Sequence, residues 1–417
     1  MNFFTMKLPS YDKGGTFCLV WFRNLNKYFN FLIHIASFLM SAISQQNPWL
    51  HRFAVFTALA TLFLIGMGGL VTSKGVGMAV PDWPNTFGYN MFLVPFDKWI
   101  GQYGVFEEHA HRLIASIVGL LTSILAVWLL AKESRIWVRL LGVGAFILVV
   151  IQGILGGLRV TEINPNLGLI HGTVAQLFLI VICGIALFTS SWWKKVSVTR
   201  EQGVGFAKLK GSIVAVICLL FIQLLMGATM RHQHAGLAIW DFPLAHGQLW
   251  PSTSSSSVAD YNKNRLELQN QLFVQDQLLN EEGNPKTFLT TGKDIQAWHV
   301  WLQMLHRIGA VVTLGSVGLL VIKSRRLLGQ LHWCSKATYF LMAIILGQAG
   351  MGIWTVLSNK AADVATGHVI FGAICLALTS LLLMMAKRCI FVSSEELCSS
   401  GESSVLPDKD HPVTFAV

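Results

Sequence analysis

Eight runs of about 20 mostly apolar residues constrain this chain more than any other feature, because each is long enough to cross a bilayer as a helix. They lie at 52–73, 108–131, 136–158, 168–192, 211–231, 297–322, 337–357 and 366–387. A helix satisfies its own backbone hydrogen bonds where no water can do so, which makes it the natural spanning element. The chain is 53% hydrophobic and 12% charged, about half the charged share of a soluble domain. The predicted fold is an all-α polytopic membrane protein with eight transmembrane helices.

The net charge of +10 reports orientation rather than a nucleic-acid partner. Connections 132–139, 193–210 and 323–336 carry 12 Lys and Arg, whereas 74–107, 159–167 and 358–365 carry four. The positive-inside bias places the first set, and both termini with it, in the cytoplasm or an organellar matrix. Cys18, Cys183, Cys218, Cys334, Cys375, Cys389 and Cys398 are scattered, with none in the outer connections. That distribution argues against a disulfide framework or a cysteine zinc site.

The chain also resembles itself. "GMGGLVTSKGVGMAVPDWP" matches "LMGATMRHQHAGLAIWDFP", with Gly68 and Gly227 each 14 residues before Asp82 and Asp241. "HAHRLIASIVGLL" matches "QMLHRIGAVVTLG", and "NLGLIHGTVAQLFL" matches "DVATGHVIFGAICL". Four spans per unit give both units the same orientation, so the expected architecture is two pseudo-twofold-related four-helix bundles about an axis along the membrane normal. The boundaries read as a poorly defined extension over 1–50, a first half over 51–195, a second half over 196–390 and a polar tail over 391–417. An inserted outer loop over about 244–296 interrupts the correspondence. The extension fits an interfacial helix, a targeting segment or an overlong start.

Histidine within a membrane helix is costly and signals function. His111, His171, His306 and His368 occupy matched positions, opening the second and fourth helix of each half on the outer side. Two facing imidazoles per bundle can ligate a heme iron from both sides, the flat porphyrin lying between helices. Single such residues are often mere interfacial hydrogen-bonders; four at matched positions are not. His109 stands about 200° around the helix from His111 and lacks a counterpart. Arg112 and Arg307 follow an iron-ligand candidate in each half, suited to pairing with heme propionates, the alternative being snorkelling helix-end arginines. His232, His234, His246 and His299 are unmatched outer residues, and His34, His51, His332 and His411 fall on the inner side.

The halves differ at one telling position. Glu108 lies three residues before His111, on the same helix face, whereas Gln303 lies three before His306. A carboxylate can do acid–base work and an amide cannot, so Glu108 is the catalytic candidate, weighed against a helix-capping role that Glu107 could fill equally. Asp82 and Asp241 sit in turn-like D-W-P and D-F-P segments and read as structural. Gln152 and Gln348 read as interhelical hydrogen-bonders.

At E-x-x-H-R (Glu108–Arg112), "LIHGTVAQ" (169–176), "LHR" (305–307), "TGH" (366–368) and "VPDWPNTFGYNMF" (80–92), the sequence resembles the heme A synthase family over Arg52 to Lys387. The resemblance implies oxidation of the C8 methyl of heme O to a formyl group, through hydroxylation to a gem-diol that loses water, for cytochrome oxidase biogenesis. It implies heme b at His306 and His368, and heme O as substrate at His111 and His171 with Glu108 catalytic. Part of that family carries paired cysteines in the first outer loop; residues 74–107 here contain none. Implied partners are heme O, the lipid bilayer, an unidentified electron donor, a heme O synthase and a second copy of the chain. The expected setting is a bacterial plasma membrane, the mitochondrial inner membrane being the alternative. Two other readings compete: a di-heme b-type electron-transfer protein that does not need Glu108, and a transporter with histidine relays, which the lack of mid-membrane polar residues disfavours.

Overall fold

A computed structural model describes residues 48–264 and 294–399. The predicted N-terminal extension before residue 48, the polar part of the insertion over 265–293 and the tail beyond 399 lie outside the described residues, with Cys18, His34 and His411 among them. Among the described residues, eight helices are long and apolar enough to cross a membrane. They are α1 (Pro48–Ser73), α2 (Val105–Lys132), α3 (Ile136–Thr161), α4 (Pro165–Thr189), α5 (Arg200–His232), α6 (Ala297–Leu328), α7 (Trp333–Leu357) and α8 (Ala362–Ser399).

α5 and α8 outrun their apolar runs by the most. α5 begins at Arg200 because the Thr199 side chain and Gln202 cap each other's backbone amides, so a polar stretch enters the helix before the hydrocarbon does. α8 continues to Ser399, past its apolar end. α4 stops three residues early: the Ser190 hydroxyl accepts from Trp193 N at 3.2 Å and starts a separate turn over Ser191–Lys195. On the α2–α3 connection, hydrogen bonds from the Arg135 side chain hold the Glu133 carboxyl down at about 2.

α1 packs on α2, α2 on α3, α3 on α4, and α4 returns to α1. α5, α6, α7 and α8 close a second ring in the same way. The rings meet where α8 lies on α1 and α4, and where α4 lies on α5. One apolar cluster fills the first ring around Leu125, Leu129, Ile182 and Ile185. Another fills the second ring and runs across the seam through Leu62, Ile65 and Leu179. Outward apolar side chains such as Val127 (66% exposed) and Val311 (70% exposed) suit lipid rather than water. Part of the inserted loop is helical over 255–264, and Tyr261 joins Ile239, Ile295 and Val300 in a third cluster beneath it.

Candidate functional site

The four matched histidines all lie at one end of the helices, each against a glycine on the neighbouring helix. A methyl group on Gly68 of α1 would stand 3.0 Å from His111 Cε1, and one on Gly227 of α5 would stand 3.4 Å from His306 Cε1. Methyls on Gly156 of α3 and Gly352 of α7 would stand 3.3 Å and 3.0 Å from Cε1 of His171 and His368. Larger residues there would push the imidazoles inward, so the glycines set the width of each pocket. His111 and His171 are close enough to interact electrostatically, and so are His306 and His368.

The ring nitrogens are partnered in a pattern. Nδ1 of His368 lies 3.1 Å from the Gln348 carbonyl oxygen, and the Gln152 carbonyl bears on His171 in the same way. The Gln152 amide also spans α3 and α4, lying 3.0 Å from His171 Nδ1 and accepting from Ala175 N at 3.1 Å when oriented to satisfy its neighbours. The Gln348 side-chain oxygen, by contrast, is buried without a partner, so its main chain rather than its amide holds the histidine. Nδ1 of His111 and of His306 are likewise buried and unpartnered. Among the described residues no three or more His, Cys, Asp or Glu side chains converge as a bare metal site would require. Two imidazoles per ring instead suit a metal whose remaining ligands come from a macrocycle.

Over each histidine pair lies a loop built on the same plan. The Asp82 carboxylate accepts from Phe87 N and Gly88 N, both at 2.8 Å. The Asp241 carboxylate accepts from His246 N and Gly247 N, both at 2.8 Å. Successive positive φ angles at Phe87 and Gly88 (51° and 78°) and at His246 and Gly247 (52° and 75°) make the hairpin turns. Both X-Pro bonds, Trp83–Pro84 and Phe242–Pro243, are cis. The Asp82 carboxyl is raised by burial, but the Gly88 and Phe87 amides, with the Arg112 charge, outweigh that and hold it below the usual carboxylate value.

Glu108 and Gln303 fasten these loops. Glu108 Oε2 accepts from Val80 N at 3.0 Å; Gln303 Oε1 accepts from Ile239 N at 2.8 Å. Gln303 Nε2 also donates to Ile239 O at 2.8 Å. In the first ring the matching carbonyl, Val80 O, is met by Arg112 Nη2 at 2.8 Å, and that nitrogen also donates to Glu108 Oε1 at 2.7 Å. Arg112 Nη1 donates to Asp82 O (2.7 Å) and Asn85 O (3.1 Å). Arg307 makes the two corresponding bonds, to Asp241 O (2.7 Å) and Leu244 O (2.9 Å), and keeps its other donors.

The capping role falls to Glu107, which accepts from Gly104 N at 2.9 Å and pairs with Lys74. His109 turns into the loop, with Nδ1 3.2 Å from Thr86 Oγ1 and its ring against Trp99. His246 stacks on Tyr261 at 3.5 Å. One group went unnoticed in the sequence: Arg159, on the α3 face that also carries Gln152 and Gly156 toward His171. Its guanidinium packs on Gly77 and lies beside His232 over Gly168. Its three- and seven-residue spacing from Gly156 and Gln152 was the available signal.

Residues 51–380 match the model of the COX15-CtaA family, described as cytochrome oxidase assembly protein. Similar proteins include the heme A synthase of Shouchella clausii, 24% identical over 354 residues covering 82% of this chain and 99% of that protein. The heme A synthase of Sphingopyxis alaskensis is 22% identical over 84% of this chain and 95% of its own length. That of Geobacillus kaustophilus is 24% identical over 81% and 91%.

Proposed function

The chain belongs to the COX15-CtaA family of cytochrome oxidase assembly proteins, and from that premise we propose that it is a heme A synthase, an oxidoreductase that converts the C8 methyl of heme O to a formyl group. The names of relatives matched over nearly their whole length support this reading. The observation that carries it is the pair of glycine-lined histidine pockets, with a carboxylate beside only one of them.

The two rings are read as halves related by a pseudo-twofold axis along the membrane normal, 51–195 and 196–390, with both termini cytoplasmic in a bacterial plasma membrane. The matched loops, matched glycines and matched packing of the rings support that arrangement. His306 and His368 would hold heme b, and His111 and His171 would hold the substrate heme. The residues present fit such a group. Each imidazole stands against a glycine, and Nδ1 of His111 and of His306 is buried without a protein partner, which suits residues whose partner is a cofactor. Where a main-chain carbonyl takes Nδ1–H, as at His368, the lone pair is left on Nε2 for iron.

Bound heme iron supplies the oxidising chemistry; the chain supplies position, exclusion of water and charge. The two loops close the outer mouths, and Glu108 with Arg112 fastens the first of them. The proposed catalytic role of Glu108 is to hold or accept a proton at Oε2 and to stabilise positive charge developing on the substrate. Arg112 and Arg307 are proposed to stand beside the propionates of their hemes. Arg112 has only Nε–H unspent, whereas Arg307 keeps three donors. The test is co-expression with a heme O-producing enzyme, followed by pigment extraction and mass measurement. A formyl-bearing heme is expected with the intact chain and absent with Glu108→Gln; a mutant yielding as much heme A as the parent contradicts the role given to Glu108.

A further inference from the structure

The outer ends of α3 and α5 bring together cations that the loops do not use. Arg159 and His232 meet over Gly168, where a methyl group would stand 2.6 Å from His232 Cε1 and 3.1 Å from Arg159 Nε. A side chain on Gly77 would run into the Arg159 guanidinium from the other side. Arg231, next to His232, anchors on Gly69 O and Ser73 Oγ of α1 and lies close enough to feel Arg159. Arg159 bears on His171 and His111, and Arg231 on His368. The pair therefore sits on the seam between the two histidine pairs.

These charges lack counterions. Among the described residues neither Arg159 nor Arg231 forms an ion pair. The nearest acid acting on Arg159 is Glu108, and both of its oxygens already serve Val80 and Arg112. Arg159 and Arg231 are half-buried, and a guanidinium taken part-way out of water is compensated best by an anion or full hydrogen bonding. On the other side Lys360 covers Gly236 as Arg159 covers Gly77, but the guanidinium and its two cationic neighbours have no counterpart there. Counting from Gly156 and Gly352, Arg159 corresponds to Thr355; counting from Gly68 and Gly227, Arg231 and His232 correspond to Thr72 and Ser73. Thr355 and Thr72 merely bond back to their own helices.

We propose that Arg159, flanked by His232 and backed by Arg231, is a carboxylate site that receives a propionate of the porphyrin at His111 and His171. The inference rests on the heme reading above and deepens it. Arg112 has spent four of its five donors on the first loop and its own carboxylate and keeps only Nε–H for one propionate, so Arg159 is the cation with donors left for the other. A planar guanidinium flanked by two glycines offers paired donors to a carboxylate.

The test titrates full-length protein in phosphatidylcholine nanodiscs with iron protoporphyrin IX and, separately, with its dimethyl ester, following the Soret band. The phase abolished by His111→Ala reports the site. Arg159→Gln should raise the Kd of the free acid in that phase by about tenfold and change that of the ester by less than about twofold. Arg159→Lys should recover part of the loss; if Arg159→Gln does not fold, the acid-to-ester Kd ratio of Arg159→Lys serves instead and should rise above that of the parent. Equal losses for both probes would make Arg159 a structural residue and overturn the proposal. So would competition by added phosphatidylglycerol in the parent but not the variant, which assigns the cations to a lipid headgroup. A parent protein that binds neither probe removes the heme reading itself, and the propionate site with it.

Discussion

The two loops over the histidine pairs hang from their helices by the same bonds made with different chemistry. In the second ring a single neutral residue, Gln303, both accepts from Ile239 N and donates to Ile239 O. In the first, Glu108 can only accept, and Arg112 supplies the donor to Val80 O. Nothing in fastening a loop demands a buried ion pair, since an amide does the work next door. A neutral residue is also the cheaper solution, because desolvating two charges can cost more than their attraction returns. The charge at position 108, and Arg159 where the other side has Thr355, set the first ring apart, which is the asymmetry that the role proposed for Glu108 uses.

Glu108→Gln breaks this comparison most sharply. The substituted residue can copy Gln303, so the protein should fold and retain its heme while heme A output falls about 10²–10⁴-fold; extracted pigment, measured beside heme content, checks both halves of the statement. Glu108→Ala should abolish output and also strand the Arg112 charge, costing about 3–5 kcal/mol in thermal unfolding of the detergent-solubilised protein. The reverse exchange, Gln303→Glu, leaves Ile239 O without its donor and should cost about 1–3 kcal/mol with no gain in oxidation. A graded set comes next. Alanine at Gly68 or Gly352, where 3.0 Å is available, should perturb the heme Soret band more than alanine at Gly227, where 3.4 Å is available. The smallest effect concerns acid. The Asp82 carboxyl is held below its usual value by loop amides, so the stability it lends is present above the unfolded pKa and is lost as pH falls through the folded one. Hydrogen exchange at Phe87 and Gly88 should accelerate below about pH 4, and Asp82→Ala should abolish that dependence.

Much of this was legible in the sequence. Hydropathy placed eight spans because a run that must cross hydrocarbon cannot hide its length. Self-similarity picked His111, His171, His306 and His368 out of 13 histidines. Glu107 and Glu108 could not be separated by spacing, since both lie in the first turn of α2. Only the direction of the loop decides that one caps Gly104 and the other holds Val80. The helix start at Arg200 escaped because a capping box, not apolarity, sets it. Arg159 and His232 lie 73 residues apart and meet only when α4 packs against both α3 and α5. No local pattern encodes such a meeting.

The central claim is that each ring grips a porphyrin iron between two imidazoles. Electron paramagnetic resonance of the purified oxidised protein, with His111→Ala and His368→Ala beside it, tests it most directly. The account predicts low-spin bis-histidine signals, with His368→Ala removing the heme b component and His111→Ala leaving it in place. A heme-free parent, or a signal that survives both substitutions unchanged, contradicts it.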